Sequence, residues 1–138
     1  MDYVIDKEAL KGKVIKEISR FAAGAHSDDG SSLFDAYKIL SRDHDTVLDY
    51  IEDGISSICV TLVDISTKEE GKIVFNVPDF ITSMEEPAKK ELDRYIVYRA
   101  CKQWVEDKAG AETNPYEQRA NEALTNANIL LKTRKSPK

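Results

Sequence analysis

The sequence predicts a mainly α fold: one four-helix, bundle-like domain over residues 1–138, with a single short strand or β-hairpin between the second and third helices. Three observations predict it. Apolar residues recur at three- and four-residue spacing in four separate stretches. Between the second and third of these the period changes to two. Residues that start and stop helices stand where the periodic stretches begin and end.

The first helix is expected over residues 6–23, "DKEALKGKVIKEISRFAA". Leu10, Val14, Ile18 and Phe21 keep a 4-4-3 spacing, and Gly24 is a natural stop. Gly12 inside it weakens it by about 1 kcal/mol relative to Ala. Residues 24–32 gather Gly, Ser and Asp and read as an exposed loop. Leu33, Phe34, Tyr37, Ile39 and Leu40 then tack the connection onto the helices or form a short helical turn.

The second helix is placed at residues 42–66. Leu48, Ile51, Ile55, Ile58, Leu62 and Ile65 form an unbroken 3-4-3-4-3 alternation, the spacing of a coiled-coil seam. Ser41 or Asp43 caps its start, where Asp43, Asp45 and Asp49 also suit the helix dipole. Residues 68–71 read as a turn. A short strand follows at 72–77, with Ile73, Phe75 and Val77 alternating and Pro78 ending it. One strand cannot pair with itself, so it needs a partner elsewhere in the chain or in a neighbouring subunit.

The third helix, residues 83–108, starts at a capping box of Ser83 and Glu86 with Pro87 in its first turn. It carries apolar or aromatic side chains in almost every direction, which places it either at the centre of its domain or against another chain. After the loop "KAGAETN", Asn114 and Pro115 open a fourth helix over 115–132. Tyr116, Ala120, Ala123, Leu124, Ala127 and Leu131 share one of its faces. Residues 133–138 form a short basic tail.

Composition narrows the function classes. The chain is 41% hydrophobic and 33% charged, as in ordinary soluble domains. A net charge of −5 disfavours whole-surface attraction to nucleic acid or anionic membrane. No apolar run approaches the roughly 20 residues of a membrane span, and "MDYVIDKEALKGK" lacks the pattern of a secretion signal. Cys59 and Cys101 read as buried free thiols in a reducing compartment.

Catalytic chemistry finds little to use. His26 lies in the polar loop and His44 in an acidic helix start, neither beside a nucleophile motif. Asp43, Asp45, Asp49, Glu52 and Asp53 lack the spacing of a calcium loop and read as a solvated helix face. Asp64, Glu70 and Lys72 have the acid, acid-x-Lys order of restriction-type nucleases, which use such residues to hold Mg²⁺ and activate water. That fold needs a larger sheet, so a charged turn is the preferred reading. No catalytic, cofactor-binding or metal-binding residue is expected.

The order of features nevertheless resembles a family. "SSLFDAYKILSRDHD" runs into the long helix "VLDYIEDGISSICVTLVDI"; then come "FNVPDF", the aromatic helix "LDRYIVYRACKQW", and "PYEQRANEALTNANILLKTRK", basic at its end. This looks like the head–tail connector (adaptor) proteins of tailed bacteriophages. The resemblance implies a structural protein without a catalytic site, forming a homo-oligomeric ring, typically a dodecamer, at the head–tail junction of the virion after assembly in the host cytoplasm. It further implies contact with the portal protein and with tail or other connector proteins. DNA passes through without sequence-specific binding, and no membrane or cofactor is involved.

On that reading Tyr95, Tyr98, Trp104 and Val105 of the third helix are candidates for the subunit interface, with Ile73 and Phe75 of the strand. Lys132, Arg134, Lys135 and Lys138 are candidates for contact with the portal or nucleic acid. Assembly is then expected to rest on apolar helix faces and to depend little on salt. The alternatives are a small helical protein-interaction module and a DNA-binding helical domain using the basic tail, the latter with steep salt sensitivity.

Overall fold

A computed structural model describes residues 1–26, 29–32, 34–109 and 115–133. The fold is mainly α with a small three-stranded antiparallel sheet. In chain order the elements are β1 (Asp2–Val4), α1 (Lys7–Gly24), α2 (Phe34–Tyr37), α3 (His44–Thr61), β2 (Ser66–Glu69), β3 (Lys72–Phe75), α4 (Glu85–Ala109) and α5 (Tyr116–Lys132).

Helix α1 begins where the Asp6 carboxylate accepts the Ala9 N–H, at 3.1 Å. Leu10, Val14 and Ile18 are buried as expected; the row closes on buried Ala22, while Phe21 is half-buried and packs against the core. The connection after it does tack onto the helices. Tyr37 of α2 is buried, its ring meets Phe21 edge to face at 5.0 Å, and its carbonyl accepts the indole N–H of Trp104 at 2.6 Å.

Helix α3 is shorter than its apolar spacing implies. It follows a 3-10 turn at Ser41–Asp43 and ends at Thr61, not at residue 66. The chain turns through residues 62–65 into β2, while Leu62 still buries its side chain and Ile65 packs on the core. The two leucine and isoleucine positions prolong the apolar period beyond the helix itself.

The expected single strand is the middle strand of a sheet ordered β1-β3-β2. Tyr3 pairs with Ile73 and Lys68 also pairs with Ile73 from the other side. The turn is therefore confined to Glu70 and Gly71; Lys68 and Glu69 belong to β2. Gly71 takes a φ of 73°, which glycine accepts without a side-chain clash. The strand closes at Phe75 rather than Val77, ahead of a turn at Pro78 and Asp79. Both of its partners come from this chain, so no neighbouring subunit is needed to complete it.

Helix α4 is entered through a 3-10 turn at Thr82–Met84. Ser83 lies inside that turn instead of capping the helix. Helix α4 is central: it packs against α5, α3, α1 and α2. Leu92, Tyr95, Ile96, Cys101, Trp104 and Val105 are all buried, and they point to different sides of the helix. This explains its apolar circumference. Helix α5 lays the expected face on α4, with Tyr116, Ala120, Ala123, Ala127 and Leu131 buried. Small alanines permit the close approach of the two axes. The loop before α5, with the Asn114 start signal, lies outside the described residues apart from Pro115.

Candidate interaction surfaces

Five of the six residues proposed from sequence as a subunit interface are sealed inside the chain. Trp104 and Phe75 are 1% exposed, Ile73 and Val105 0%, and Tyr95 5%. The Tyr95 hydroxyl is bonded to the Ser57 hydroxyl at 2.6 Å, so even its polar tip is satisfied within the subunit. These side chains have no surface to offer a neighbour. The expectation fails for a physical reason: the helix that carries most of them is surrounded by its own domain. Only Tyr98 keeps partial exposure, and it stacks on Tyr116 with ring centroids 6.0 Å apart beneath Arg119.

Of the basic C-terminal residues, Lys132 closes α5 and pairs with Asp64 at 3.3 Å, both side chains about half exposed. That contact fastens the end of α5 to the turn after α3. Arg134, Lys135 and Lys138 lie outside the described residues.

The nuclease-like trio is dispersed in role. Asp64 pairs with Lys132, Lys72 pairs with Asp2 across the sheet at 3.3 Å, and Glu70 is exposed in the hairpin turn. His26 is exposed, with Nδ1 3.1 Å from the Gly24 carbonyl, and His44 opens α3. Cys59 and Cys101 are free thiols. Burial raises the Cys101 thiol far above its ordinary range, with the nearby Glu17 carboxylate adding to the effect. No group of three His, Cys, Asp or Glu disposed to hold a metal ion occurs among the described residues, and none of their helices is long and apolar enough to cross a membrane.

The surface instead separates charge. A groove of about 270 Å³ runs between α1 and α4. Lys13, Lys16 and Arg20 line it from α1, Lys90 and Arg94 from α4. Glu17 and Asp93 are its two acids, and Val97 and Tyr98 contribute its apolar lining. Five cations against two anions make it locally positive on a chain of net charge −5. Lys13 reaches Asp93 at 3.6 Å and Arg20 reaches Glu17 at 3.3 Å. Lys16 and Lys90 make no ion pair with the described residues.

An acidic edge lies along α3 and the end of α4. Asp45, Asp49 and Asp53 fall at i, i+4 and i+8, one row along α3, and all three are exposed. The Tyr50 hydroxyl bonds to Asp107 of α4. Burial, that bond and the surrounding carboxylates of Asp107, Asp53 and Asp49 push the Tyr50 hydroxyl up to about 12. The three carboxylates thus stand close together, and none of them forms an ion pair among the described residues. Glu52, between Asp49 and Asp53 on α3, is compensated: Lys7 and Lys68 hold its carboxyl below the usual range.

The sequence suggests helix-start, calcium-ligand and solvated-face roles for the acids of α3 but does not reveal the groove. Lys13, Lys16 and Arg20 stand at i, i+3 and i+7, and Lys90 and Arg94 at i and i+4, so each row is visible in the sequence. That the two rows face each other depends on α1 packing beside α4, which no local pattern encodes.

No protein family, curated protein or solved structure matches this chain.

Proposed function

We propose that this chain is a structural subunit of a phage particle, a head–tail connector that forms a homo-oligomeric ring joining the portal to the tail around the DNA channel. The observation that supports the reading is the order of elements after strand β1: a capped helix, a polar connection carrying the short α2, a long helix, a short β-hairpin, an aromatic helix and a last helix followed by basic residues. Its partners are then other copies of itself, the portal protein, and tail or other connector proteins. Its place is the head–tail junction, reached after assembly in the host cytoplasm. The negative net charge suits a wall past which DNA moves without adhering.

Light scattering on the purified chain, alone and mixed with portal protein, tests this proposal. A closed oligomer, or a stoichiometric complex with portal, is the expected result; a monomer indifferent to portal refutes it. The charged groove favours a second reading, a small helical interaction module that docks on an acidic protein. A stable one-to-one complex with such a partner and no higher assembly would select that reading. The DNA-binding alternative has less support, because Lys132 is already paired with Asp64.

A further inference from the structure

The groove and the acidic edge lie on opposite sides of α4. Lys90, Arg94, Val97 and Tyr98 face the groove. Ile96, Gln103 and Asp107 face α3: the Ile96 backbone lies 3.5 Å from a Cβ built on Gly54, Gln103 reaches Asp53 at 3.5 Å, and Asp107 takes the Tyr50 hydroxyl. At about 100° per residue the two sets are roughly half a turn apart. The basic groove and the acidic row therefore lie on opposite sides of α4.

We infer that the basic groove between α1 and α4 receives the acidic α3 edge of a second copy of this chain. This rests on the proposed ring and specifies its contact. A ring of more than two subunits needs a heterologous interface, in which one patch meets a different patch of the neighbour. Patches of opposite charge on opposite sides satisfy that requirement. Their spacing also matches, because both are rows of side chains one helical turn apart, about 6 Å per step. Among the described residues, Lys16 and Lys90 on one side and Asp49 and Asp53 on the other form no ion pair that association would have to break. Tyr98 supplies the groove with an aromatic surface, the one member of the sequence-derived interface that remains accessible.

A polyanion such as nucleic acid is the competing occupant. The chain's net charge of −5 repels it at a distance, and Glu17 and Asp93 interrupt the cations within the groove. Discrete carboxylates on a helix suit such a mixed lining better than a continuous phosphate backbone does.

The contact should depend on salt, unlike an assembly resting on apolar faces. Sedimentation equilibrium of the full chain at roughly 0.05 M and 0.5 M salt reads this, since screening shortens the reach of exposed charges. The wild type is expected to associate at low salt and dissociate at high salt. A groove variant, Lys16→Glu with Lys90→Glu, and an edge variant, Asp49→Lys with Asp53→Lys, should each associate about tenfold more weakly or less. All four positions are exposed, and thermal melting verifies that the variants fold.

Combining all four substitutions in one chain should restore association, because the charges are then exchanged rather than matched in sign. Mixing the two variants should restore it as well. Failure of both restorations overturns the inference, as does a wild type that is monomeric at low salt. A groove variant that instead loses binding to a short duplex DNA probe, with self-association unchanged, assigns the groove to a polyanion and also overturns it. The ring reading falls separately, only when the wild type stays monomeric with portal protein present.

Discussion

Replacing Trp104 by Ala distinguishes a core anchor from an interface anchor. The ring is 1% exposed, its N–H donates to the Tyr37 carbonyl at 2.6 Å, and the Lys108 amine sits 4.6 Å from the ring centre. Truncating a buried Trp costs about 3–5 kcal/mol through lost burial and the cavity left behind. Orphaning the buried Tyr37 carbonyl adds roughly 1 kcal/mol or more. The total, about 4–6 kcal/mol, is a large part of the 5–15 kcal/mol that holds a typical domain folded. At roughly 3–4 °C per kcal/mol for a chain of this size, the melting temperature should fall by about 15 °C or more. Trp104→Phe keeps most of the ring but loses the hydrogen bond, so it should cost less, about 1–3 kcal/mol. Trp104 is the only tryptophan, so urea or thermal unfolding is followed by far-UV circular dichroism rather than fluorescence. A Trp104→Ala chain that unfolds at the wild-type midpoint refutes the core assignment.

Three further predictions come from the packing and titration of other residues. Gly12 is an exposed helix position with nothing within 4 Å of an added Cβ, so Gly12→Ala should stabilise the chain by about 0.5–1 kcal/mol in urea titrations. At Gly54 an added Cβ would lie 3.5 Å from Ile96, an ordinary contact, so Gly54→Ala should be tolerated; Gly54→Leu should separate α3 from α4 and lower the unfolding free energy by about 1–3 kcal/mol in urea titrations. Tyr3 is buried and donates to Asp93, and its hydroxyl is held well above the ordinary tyrosine value of 10.0, first by burial and then by that bond. Because the folded state raises this value, the associated stability is complete below about pH 10 and declines as pH rises further. Tyr3→Phe should flatten that alkaline decline, read as unfolding midpoint against pH; an unchanged slope would assign it elsewhere.

The helices were legible because each buries a periodic row. Leu10, Val14 and Ile18 in α1, and Tyr116 through Leu131 in α5, lie in the interior as their spacing implies. The hairpin was only half legible. The apolar period of α3 runs on through Leu62 and Ile65 although the backbone has left the helix, since side chains from a turn can fill the same core. Strand β1 has three residues and one buried side chain, Tyr3, too little for a period of two to register. The apolar circumference of α4 was evident, but a sequence cannot say whether a helix is surrounded by its own domain or by a neighbour. Three-dimensional packing decides, and here it consumes the aromatic residues first proposed for an interface. The charged groove was hidden for the same reason: its halves lie about 75 residues apart in the chain, as Lys16 and Lys90 show.

Hydrogen exchange along α4 in the dilute single chain, and again after assembly with portal protein, tests most directly whether that helix is spent within its own subunit. The fold described above predicts that the amides of residues 92–105 are among the slowest to exchange in the isolated chain, with little change on assembly. Fast exchange there that becomes slow only in the assembled state would contradict it and return Trp104 and Tyr95 to the interface.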